Sequence, residues 1–299
     1  MRAIGSHTTT INRWHENIHI ENNVIENTNN IAVRALSWQN VSIVNNKFIN
    51  CGAGINYRSP ITSDGTTAHT HDENGVQTGR SQDCSGAKIS NNIFIGGGTA
   101  GRLIEIYGEN TGLVKDVTVG FNTINSSSQI NNAILFVWAR ECSCVGNDIN
   151  GRGIYVRDAS HNISVNGNTL DSVTGDGITA SESCAYVNIT GNVLKRMEKN
   201  GILINGGDSF VVSANSISGV NGIGGAGDAT SHIRLINAVT RASITGNVCR
   251  NYSTSHVNTH ALYVTSTCTY VTTGMNVFQG FTAYNGATGG TIGSTGDLT

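Results

Sequence analysis

The sequence predicts an all-β fold, namely a single-stranded right-handed parallel β-helix of about ten coils. Three observations support this prediction: an asparagine turn recurs along most of the chain, short strands with alternating apolar residues surround it, and the composition disfavours helices. The 299 residues include 37 glycines and one proline, and 13% are charged. Gly, Asn, Thr and Val lower helix propensity, whereas β-branched residues separated by Asn and Gly suit short strands and tight turns.

The repeat is a short motif with an asparagine between apolar positions, as in "ITGNVL" at 189–194. The repeated asparagines are Asn23, Asn46, Asn92, Asn122, Asn147, Asn168, Asn192, Asn215, Asn247 and Asn276. Neighbours are 21 to 32 residues apart, except for an interval of 46 between Asn46 and Asn92. A period near 23 residues fits if that interval is one coil with a long loop. Because Asn tolerates the left-handed αL conformation, we expect these residues at turns, forming an amide ladder.

A second strand follows each asparagine turn, and a third short strand leads to the next asparagine. Second strands include "GINY" (54–57) and "GILI" (201–204), and third strands include "VTV" (117–119) and "ISV" (163–165). Apolar alternation turns one face of each strand inward. One coil cannot bury that face, but stacked coils can, with each strand paired in parallel to its equivalents. Parallel crossovers are overwhelmingly right-handed, which predicts the handedness.

The domain organisation follows from where the repeat is interrupted. Residues 1–285 are predicted to form the β-helix domain with a long loop insertion at 59–86, and 286–299 a Gly/Thr-rich tail without a core. The other insertions lie before the second strand, at 96–101, 126–132, 218–232 and 251–260. Solenoid insertions often build the binding face. The outer face of the second strand is therefore predicted to be the floor of a groove with loops on both sides.

Composition excludes several functional classes. The formal net charge is −2, so no basic field is available for nucleic acid or anionic membranes. No apolar run approaches the roughly 18 residues of a membrane span, and "MRAIGSHTTT" lacks the apolar core of a signal peptide. Seven cysteines without a CxxC pair predict buried reduced thiols and folding in a reducing compartment.

The groove floor carries the candidate substrate-binding residues. Apolar alternation turns Arg58, Tyr107, Tyr155 and Arg157 outward, and Trp138 outward or to a corner. Aromatic faces stack on sugar rings, and arginine forks hold carboxylates or hydroxyls. The alternative is an ordinary solvated β-face, with Trp138 packing at a rim or between subunits.

Three acidic residues are candidate catalytic groups. Asp158 and Glu182 each follow a second strand, one coil apart, so their carboxyls are expected about 5 Å from each other, as in a retaining glycosidase. Like charges this close would raise one pKa and keep one acid protonated. Glu105 lies two coils before Asp158, about 10 Å along the axis and nearer the inverting separation. The alternative is structural: the two acids cap turns, or Asp158 pairs with Arg157.

The insertion contains "HTHDE", with His69, His71, Asp72 and Glu73, and is predicted to overhang the floor. A metal site, a general base or substrate contact at His71, and a plain polar loop are the three interpretations. No partner His or Cys occurs at a metal-like spacing, so we expect no metal and no cofactor.

The "GN-x-[ILV]" turns and "G-I-x-[VI]" strands resemble the right-handed β-helix proteins of the pectate-lyase-like superfamily. The Asn/Ser/Thr-rich, nearly proline-free style is similar to bacteriophage tailspikes and polysaccharide depolymerases. The Gly-His-Gly and Arg-Ile-Lys motifs of polygalacturonases and the Arg-x-Pro-x-x-Arg of pectate lyases are absent. The resemblance implies that the partner is a bacterial surface polysaccharide and that the chain forms a homotrimer. It also implies a location in the virion after folding in the host cytoplasm, or otherwise an extracellular location.

Two classes of function follow from these observations. The first is a depolymerase, favoured as a hydrolase in which Asp158 and Glu182 act as acid and nucleophile, or in which Glu105 supplies the acid. Its lyase form would use a Tyr or His base, with Arg58 or Arg157 neutralising a uronate. The second is a non-catalytic glycan-binding adhesin or fibre shaft. Leu135, Val137 and Leu203 also point outward and would serve either the floor or a trimer interface. No nucleic acid or membrane insertion is expected.

Overall fold

The computed structural model describes residues 4–7, 10–60, 70–126, 132–181, 183–220, 230–251, 260–281, 285–287 and 292–295. It confirms the predicted fold class: the named strands pair in parallel, and these residues contain no helix. The chain divides into two compact units, unit 1 (Met1–Asn147) and unit 2 (Asp148–Thr299). Both units are built from coils of right-handed parallel β-helix.

The described strands of unit 1 are β1 (Ile4–His7), β2 (His15–Glu16), β3 (His19–Glu21), β4 (Val24–Glu26), β5 (Ile31–Leu36), β6 (Trp38–Gln39), β7 (Val41–Val44), β8 (Lys47–Ile49), β9 (Ala53–Arg58), β10 (Cys84–Ser90), β11 (Ile93–Ile95), β12 (Ile104–Tyr107), β13 (Val114–Gly120), β14 (Thr123–Asn125), β15 (Ile134–Val137) and β16 (Ala139–Val145).

The described strands of unit 2 are β17 (Asp148–Asn150), β18 (Ile154–Arg157), β19 (His161–Asn166), β20 (Thr169–Val173), β21 (Ile178–Ser181), β22 (Ala185–Thr190), β23 (Val193–Met197), β24 (Ile202–Ser213), β25 (Ser216–Ser218), β26 (Ser231–Val239), β27 (Ala242–Thr245), β28 (Val248–Arg250), β29 (His260–Val264), β30 (Val271–Gly274), β31 (Val277–Gln279), β32 (Asn285–Ala287) and β33 (Ile292–Thr295).

Within each unit the coils supply three kinds of strand, which we name by position. Sheet A holds the strands that lead into the asparagine turn, sheet B those that follow it directly, and sheet C the second strands of the sequence analysis. Sheet C consists of β1, β5, β9, β12 and β15 in unit 1 and of β18, β21, the start of β24, β26, β29 and β32 in unit 2. Sheet A of unit 2 includes β19, β22, the end of β24, β27, β30 and β33.

The predicted asparagine ladder is confirmed in each unit. The backbone N–H and side-chain Nδ2 of one asparagine both donate to Oδ1 of the next, at 2.9–3.1 Å. Asn46 bonds Asn92 in this way, so the long interval is indeed one coil. All ladder asparagines except Asn23 are buried.

The αL conformation falls one residue earlier than expected. In every coil the residue before the ladder asparagine has a positive φ, between 54° and 66°, as at Phe121 and Gly191. This residue turns the corner, which leaves the asparagine side chain pointing inward to reach the next coil. The prediction that the asparagines themselves take αL was therefore wrong.

Inward side chains of successive coils stack on their equivalents. In unit 1 the Phe48 and Phe94 rings stack with centroids 4.7 Å apart. All seven cysteines are buried and none forms a disulfide, which confirms the predicted buried thiols. Burial raises the pKa of Cys84 and Cys142 to about 12.

Two segments at the predicted domain boundaries take part in pairing. Cys84–Ser90 begins inside the 59–86 insertion and pairs with β13. At the other end, β32 and β33 lie in or next to the predicted tail and pair with β29 and β30. Among the described residues no helix is long and apolar enough to cross a membrane.

Candidate functional site

The outer face of sheet C in unit 1 carries a cluster of polar side chains. Strands β9 and β12 pair in register, so Asn56 lies beside Glu105 and Arg58 beside Tyr107. The Arg58 guanidinium lies over the Tyr107 ring, 4.3 Å from its centroid. Such a stack fixes the arginine in place while leaving its donors at the edge of the ring.

Both carboxylate oxygens of Glu105 are occupied. Asn56 Nδ2 donates to Oε2, and Arg102 Nη1 donates to Oε1 at 2.9 Å. The Glu105 side chain is only 17% exposed, so this ion pair is well shielded from water. The geometry makes Glu105 a positioned anion rather than an isolated acid.

Two arginines of this cluster have unsatisfied donors. The Nε atoms of Arg58 and Arg102 are buried and have no hydrogen-bond partner among the described residues. Buried N–H groups without an acceptor are unfavourable.

Unit 2 places Tyr155, Arg157 and Asp158 together on sheet C. Tyr155 Oη and Ser181 Oγ lie 2.8 Å apart, and the Arg157 guanidinium is 5.8 Å from the Tyr155 ring centroid. Arg157 Nε donates to Asp158 Oδ2 at 2.7 Å. Asp158 and Ala159 both have φ of 52°, so the αL corner directs the carboxylate toward the arginine.

A third arginine–tyrosine stack lies farther along sheet C of unit 2. Arg234 and Tyr263 are register partners, with the guanidinium 5.4 Å from the ring centroid. His260 packs on the same tyrosine at 5.5 Å between centroids. The Nε of Arg234 is also buried without a partner among the described residues.

The described part of the acidic insertion, residues 70–83, is fixed by its own carboxylates. Asp72 Oδ1 accepts the backbone N–H of Asn74 at 2.9 Å and of Val76 at 2.8 Å, which closes a turn. Asp83 Oδ1 accepts the Leu113 N–H at 2.8 Å, and its other oxygen pairs with Lys115. Asp72 and Asp83 therefore have structural roles: Asp72 closes a turn, and Asp83 bonds the backbone at Leu113 and pairs with Lys115.

A family model described as periplasmic copper-binding protein (NosD) matches residues 61–283. The chain belongs to the NosD family.

This NosD-family chain is also similar to solved tailspike proteins of E. coli bacteriophage HK620. One variant in complex with a hexasaccharide has a TM-score of 0.55 and 11% identity, covering 97% of this chain and 54% of that chain. Another in complex with a pentasaccharide has a TM-score of 0.55 and 11% identity, covering 99% and 56%. The chain spans about half the length of these tailspikes, and the likeness is one of fold. No curated protein matches the sequence.

Of the predicted site residues, the structure of the NosD-family chain brings Arg58, Tyr107 and Glu105 to one face in unit 1. It brings Tyr155, Arg157 and Asp158 together in unit 2. The ion pair between Arg157 and Asp158 is the structural alternative considered for that acid. Glu182 lies outside the described residues, so its pairing with Asp158 stays a prediction.

Other predicted residues lie elsewhere. Trp138 is half-buried at the corner between β15 and β16, with φ of 48°. His71 bridges to Thr10 and Gln77, and its carbonyl accepts the Ile11 N–H at 2.8 Å. The histidine is therefore fixed against the N-terminal segment. His69 lies outside the described residues.

Two outward apolar residues are not available for the roles expected of them. Leu135 and Val137 are 1% and 0% exposed within the single chain. They line neither an open floor nor a subunit contact. Sequence reasoning also missed Arg102, whose side chain reaches Glu105 from the turn before β12.

Proposed function

We propose that the chain binds a bacterial surface polysaccharide along the outer faces of sheet C. The observation that carries this proposal is the repeated stacking of an arginine on a half-buried tyrosine, at Arg58–Tyr107 and Arg157–Tyr155. Tyrosine faces pack on sugar rings, and the adjacent guanidinium donates to hydroxyl or carboxylate oxygens. The likeness to tailspikes solved with oligosaccharides supports this choice of ligand.

The proposal extends to cleavage by hydrolysis. One carboxyl of Asp158 and Glu182 would protonate the glycosidic oxygen while the other attacks the anomeric carbon, so that the glycosidic bond breaks and a glycosyl-enzyme forms. The first carboxylate would then take a proton from water, which attacks the anomeric carbon and releases the sugar and the second carboxylate. The position of Asp158 beside the Tyr155–Arg157 stack supports a role next to a bound sugar. A lyase using Tyr155 or His71, and an adhesin without catalysis, are the alternatives.

Copper, named in the family description, does not fit the side chains present. Among the described residues no three His, Cys, Asp or Glu side chains come together as a metal site. Copper favours imidazole and sulfur ligands. All seven thiols are buried, and burial raises the pKa of Cys84, Cys142, Cys144 and Cys249. No step of the proposed function involves copper.

A phage-tail location and a homotrimeric assembly complete the proposal, supported by the likeness to tailspikes. Light scattering on the purified chain measures its mass: three times the chain mass supports the trimer, and a monomer contradicts it.

The test incubates the protein with capsular and O-antigen polysaccharides and measures binding, new reducing ends and the ultraviolet absorbance of unsaturated uronates. Arg58→Ala and Arg157→Ala should each weaken binding about tenfold, since each removes a stacked cation. Arg140→Ala, an exposed arginine of sheet A, is the matched control.

Reducing ends without absorbance support the hydrolase, and Asp158→Asn and Glu182→Gln should then abolish them. Absorbance supports the lyase, whereas binding alone supports the adhesin. If the Arg58→Ala and Arg157→Ala variants bind the polysaccharide as tightly as the Arg140→Ala control, the site on sheet C is contradicted.

A further inference from the structure

A second groove lies on a different sheet, the outer face of sheet A in unit 2. It has a volume of about 410 Å³ and crosses β22, the end of β24, β27 and β30. Tyr186 and Tyr270 line its two ends, and none of the sheet C residues discussed above lines it.

The two tyrosines occupy one register position in different coils. Tyr186, Ser209, Arg241 and Tyr270 each come directly before paired residues of four successive sheet A strands. Three strand spacings separate the tyrosines, or about 14 Å. Their exposed fractions are 53% for Tyr186 and 76% for Tyr270.

The backbone at this position does not call for tyrosine. Tyr186 and Tyr270 have φ of 55° and 54°, in the left-handed region. Asn162 and Ser209 occupy the equivalent position in other coils, with φ of 56° and 59°. A bulky aromatic residue is unusual in αL, where Asn is favoured.

The charges of the groove cancel each other. Arg241 makes a two-pronged ion pair with Asp208, with Nε donating to Oδ1 at 2.7 Å and Nη2 to Oδ2. Thr240 Oγ1 also donates to Asp208 Oδ1 at 2.7 Å. The guanidinium lowers the pKa of Asp208, so the carboxylate remains charged and the pair neutral over the ordinary pH range.

The face between the tyrosines is largely apolar, with a few polar side chains and the Arg241–Asp208 ion pair. The register places Asn188, Val211 and Ser243 side by side on the outer face. Asn188 is exposed and Ser243 half-buried, so an amide and a hydroxyl are accessible for hydrogen bonds. Val211 supplies the one exposed large aliphatic side chain among the described residues of the groove.

We propose that this groove binds an uncharged oligosaccharide, whose rings stack on Tyr186 and Tyr270 and whose hydroxyls bond Asn188 and Ser243. Two separated aromatic platforms, with apolar surface and the polar groups of Asn188 and Ser243 between them, match the alternating apolar faces and hydroxyl edges of a sugar chain. A contact between two copies of the chain would be expected to have an apolar centre depleted of charge, whereas Arg241 and Asp208 lie here.

The experiment titrates the full chain with maltohexaose, cellohexaose and chitohexaose by calorimetry. At least one should bind, and the double variant Tyr186→Asn, Tyr270→Asn should lose about ten- to hundred-fold in affinity. Phe121→Asn is the matched control, because Phe121 is also exposed (62%) with φ of 56° but lies in unit 1. Its affinity should equal that of the unmodified chain.

Three results would overturn the proposal: none of the three hexasaccharides binds, the double variant binds as well as the unmodified chain, or sedimentation shows self-association that the double variant abolishes. Arg140→Ala, at an exposed arginine outside both proposed sites, should leave hexasaccharide affinity unchanged. The tyrosine double variant tests this groove through hexasaccharide affinity, and Arg58→Ala tests sheet C through polysaccharide binding, so either site can fail while the other stands.

Discussion

The asparagine ladder and the outer face of sheet C differ in what each coil contributes. At the ladder within each unit the coils supply the same residue, almost always buried, with the same two bonds to the next asparagine. On the outer face of sheet C successive coils supply different side chains, and charged groups there are bonded locally, as Glu105 is to Arg102 and Asp158 to Arg157. The constant position is expected to carry stability, and the variable one recognition.

The largest loss of stability is expected from breaking the ladder at Asn192→Ala. Asn192 Oδ1 accepts two bonds from Asn168, and its Nδ2 donates to Val165 O and Asn215 Oδ1. Removing it leaves buried backbone groups unsatisfied, at a cost of about 3 to 5 kcal/mol. Urea unfolding followed by circular dichroism measures the loss.

Asn188→Ala is the control for this substitution, because Asn188 is exposed on the outer face of the neighbouring strand. Its effect should stay within about 0.5 kcal/mol. Equal effects of the two substitutions would remove the distinction between ladder and surface.

A buried group, rather than the outer face of sheet C, should also determine how strongly acid lowers the stability of the chain. His232 is fully buried, and burial lowers its pKa from 6.5 to about 4, outweighing its bond to the Arg250 carbonyl. The unfolded chain therefore binds this proton more readily than the folded chain. The free energy of unfolding should fall by about 3 kcal/mol as pH drops from 6.5 toward 4, and should be fully retained above 6.5.

Melting temperatures across this pH range check the sign and size of the effect. His232→Gln should flatten the dependence, whereas His19→Gln, at an exposed histidine, should not. If the His232→Gln variant shows the same pH dependence of melting temperature as the unmodified chain, other groups cause the loss of stability in acid.

A smaller effect is expected on the outer face of sheet C. Glu105→Gln keeps the side-chain shape but removes the charge that pairs with Arg102, at a cost of about 1 to 2 kcal/mol. Combining it with Arg102→Ala should cost less than the sum of the two single changes. Glu73→Gln, at an exposed residue of the insertion, is the control and should leave the free energy of unfolding unchanged. If the effects of Glu105→Gln and Arg102→Ala on that free energy are strictly additive, the ion pair contributes nothing to stability.

The smallest effect on stability is expected at Tyr186→Asn. Asparagine relieves the cost of αL, while the ring contact with His161, at 4.7 Å, is lost. The net change in the free energy of unfolding should lie within about 1 kcal/mol in either direction, which is small compared with the effect of Asn192→Ala. Tyr57→Asn is the contrasting substitution, because Tyr57 is fully buried and bonds the Trp38 carbonyl at 2.7 Å. It should cost about 3 kcal/mol or more.

Much of the fold could be predicted because its determinant is a single residue type at a regular period. The αL corner was placed one residue too late, although seven of the ten residues before the ladder asparagines are Gly or Asn, which favour αL. Phe121, Ala214 and Met275 hold the corner in the other three coils. Strand alternation predicted the outward positions of Arg58, Tyr107 and Tyr155. It did not predict that Leu135, the register partner of Glu105, is buried.

The groove on sheet A was missed although a signal for it exists. Tyr186 directly precedes "VNI" just as Asn162 directly precedes "ISV". Aligning the residues before each third strand would have shown a tyrosine where another coil has asparagine. Arg102 gave no such signal, because it lies in a turn where side-chain direction does not follow from alternation.

The bond between Asn46 and Asn92 has a consequence for how such a chain can change. These two residues are separated by twice the usual interval, yet their contact matches that of Asn23 with Asn46. The contact between successive ladder asparagines in unit 1 therefore does not depend on how many residues separate them in the chain. Segments inserted after β9 can be lengthened, shortened or exchanged while the scaffold keeps its geometry. Changes there would alter the surface beside sheet C and leave the contact between Asn46 and Asn92 in place.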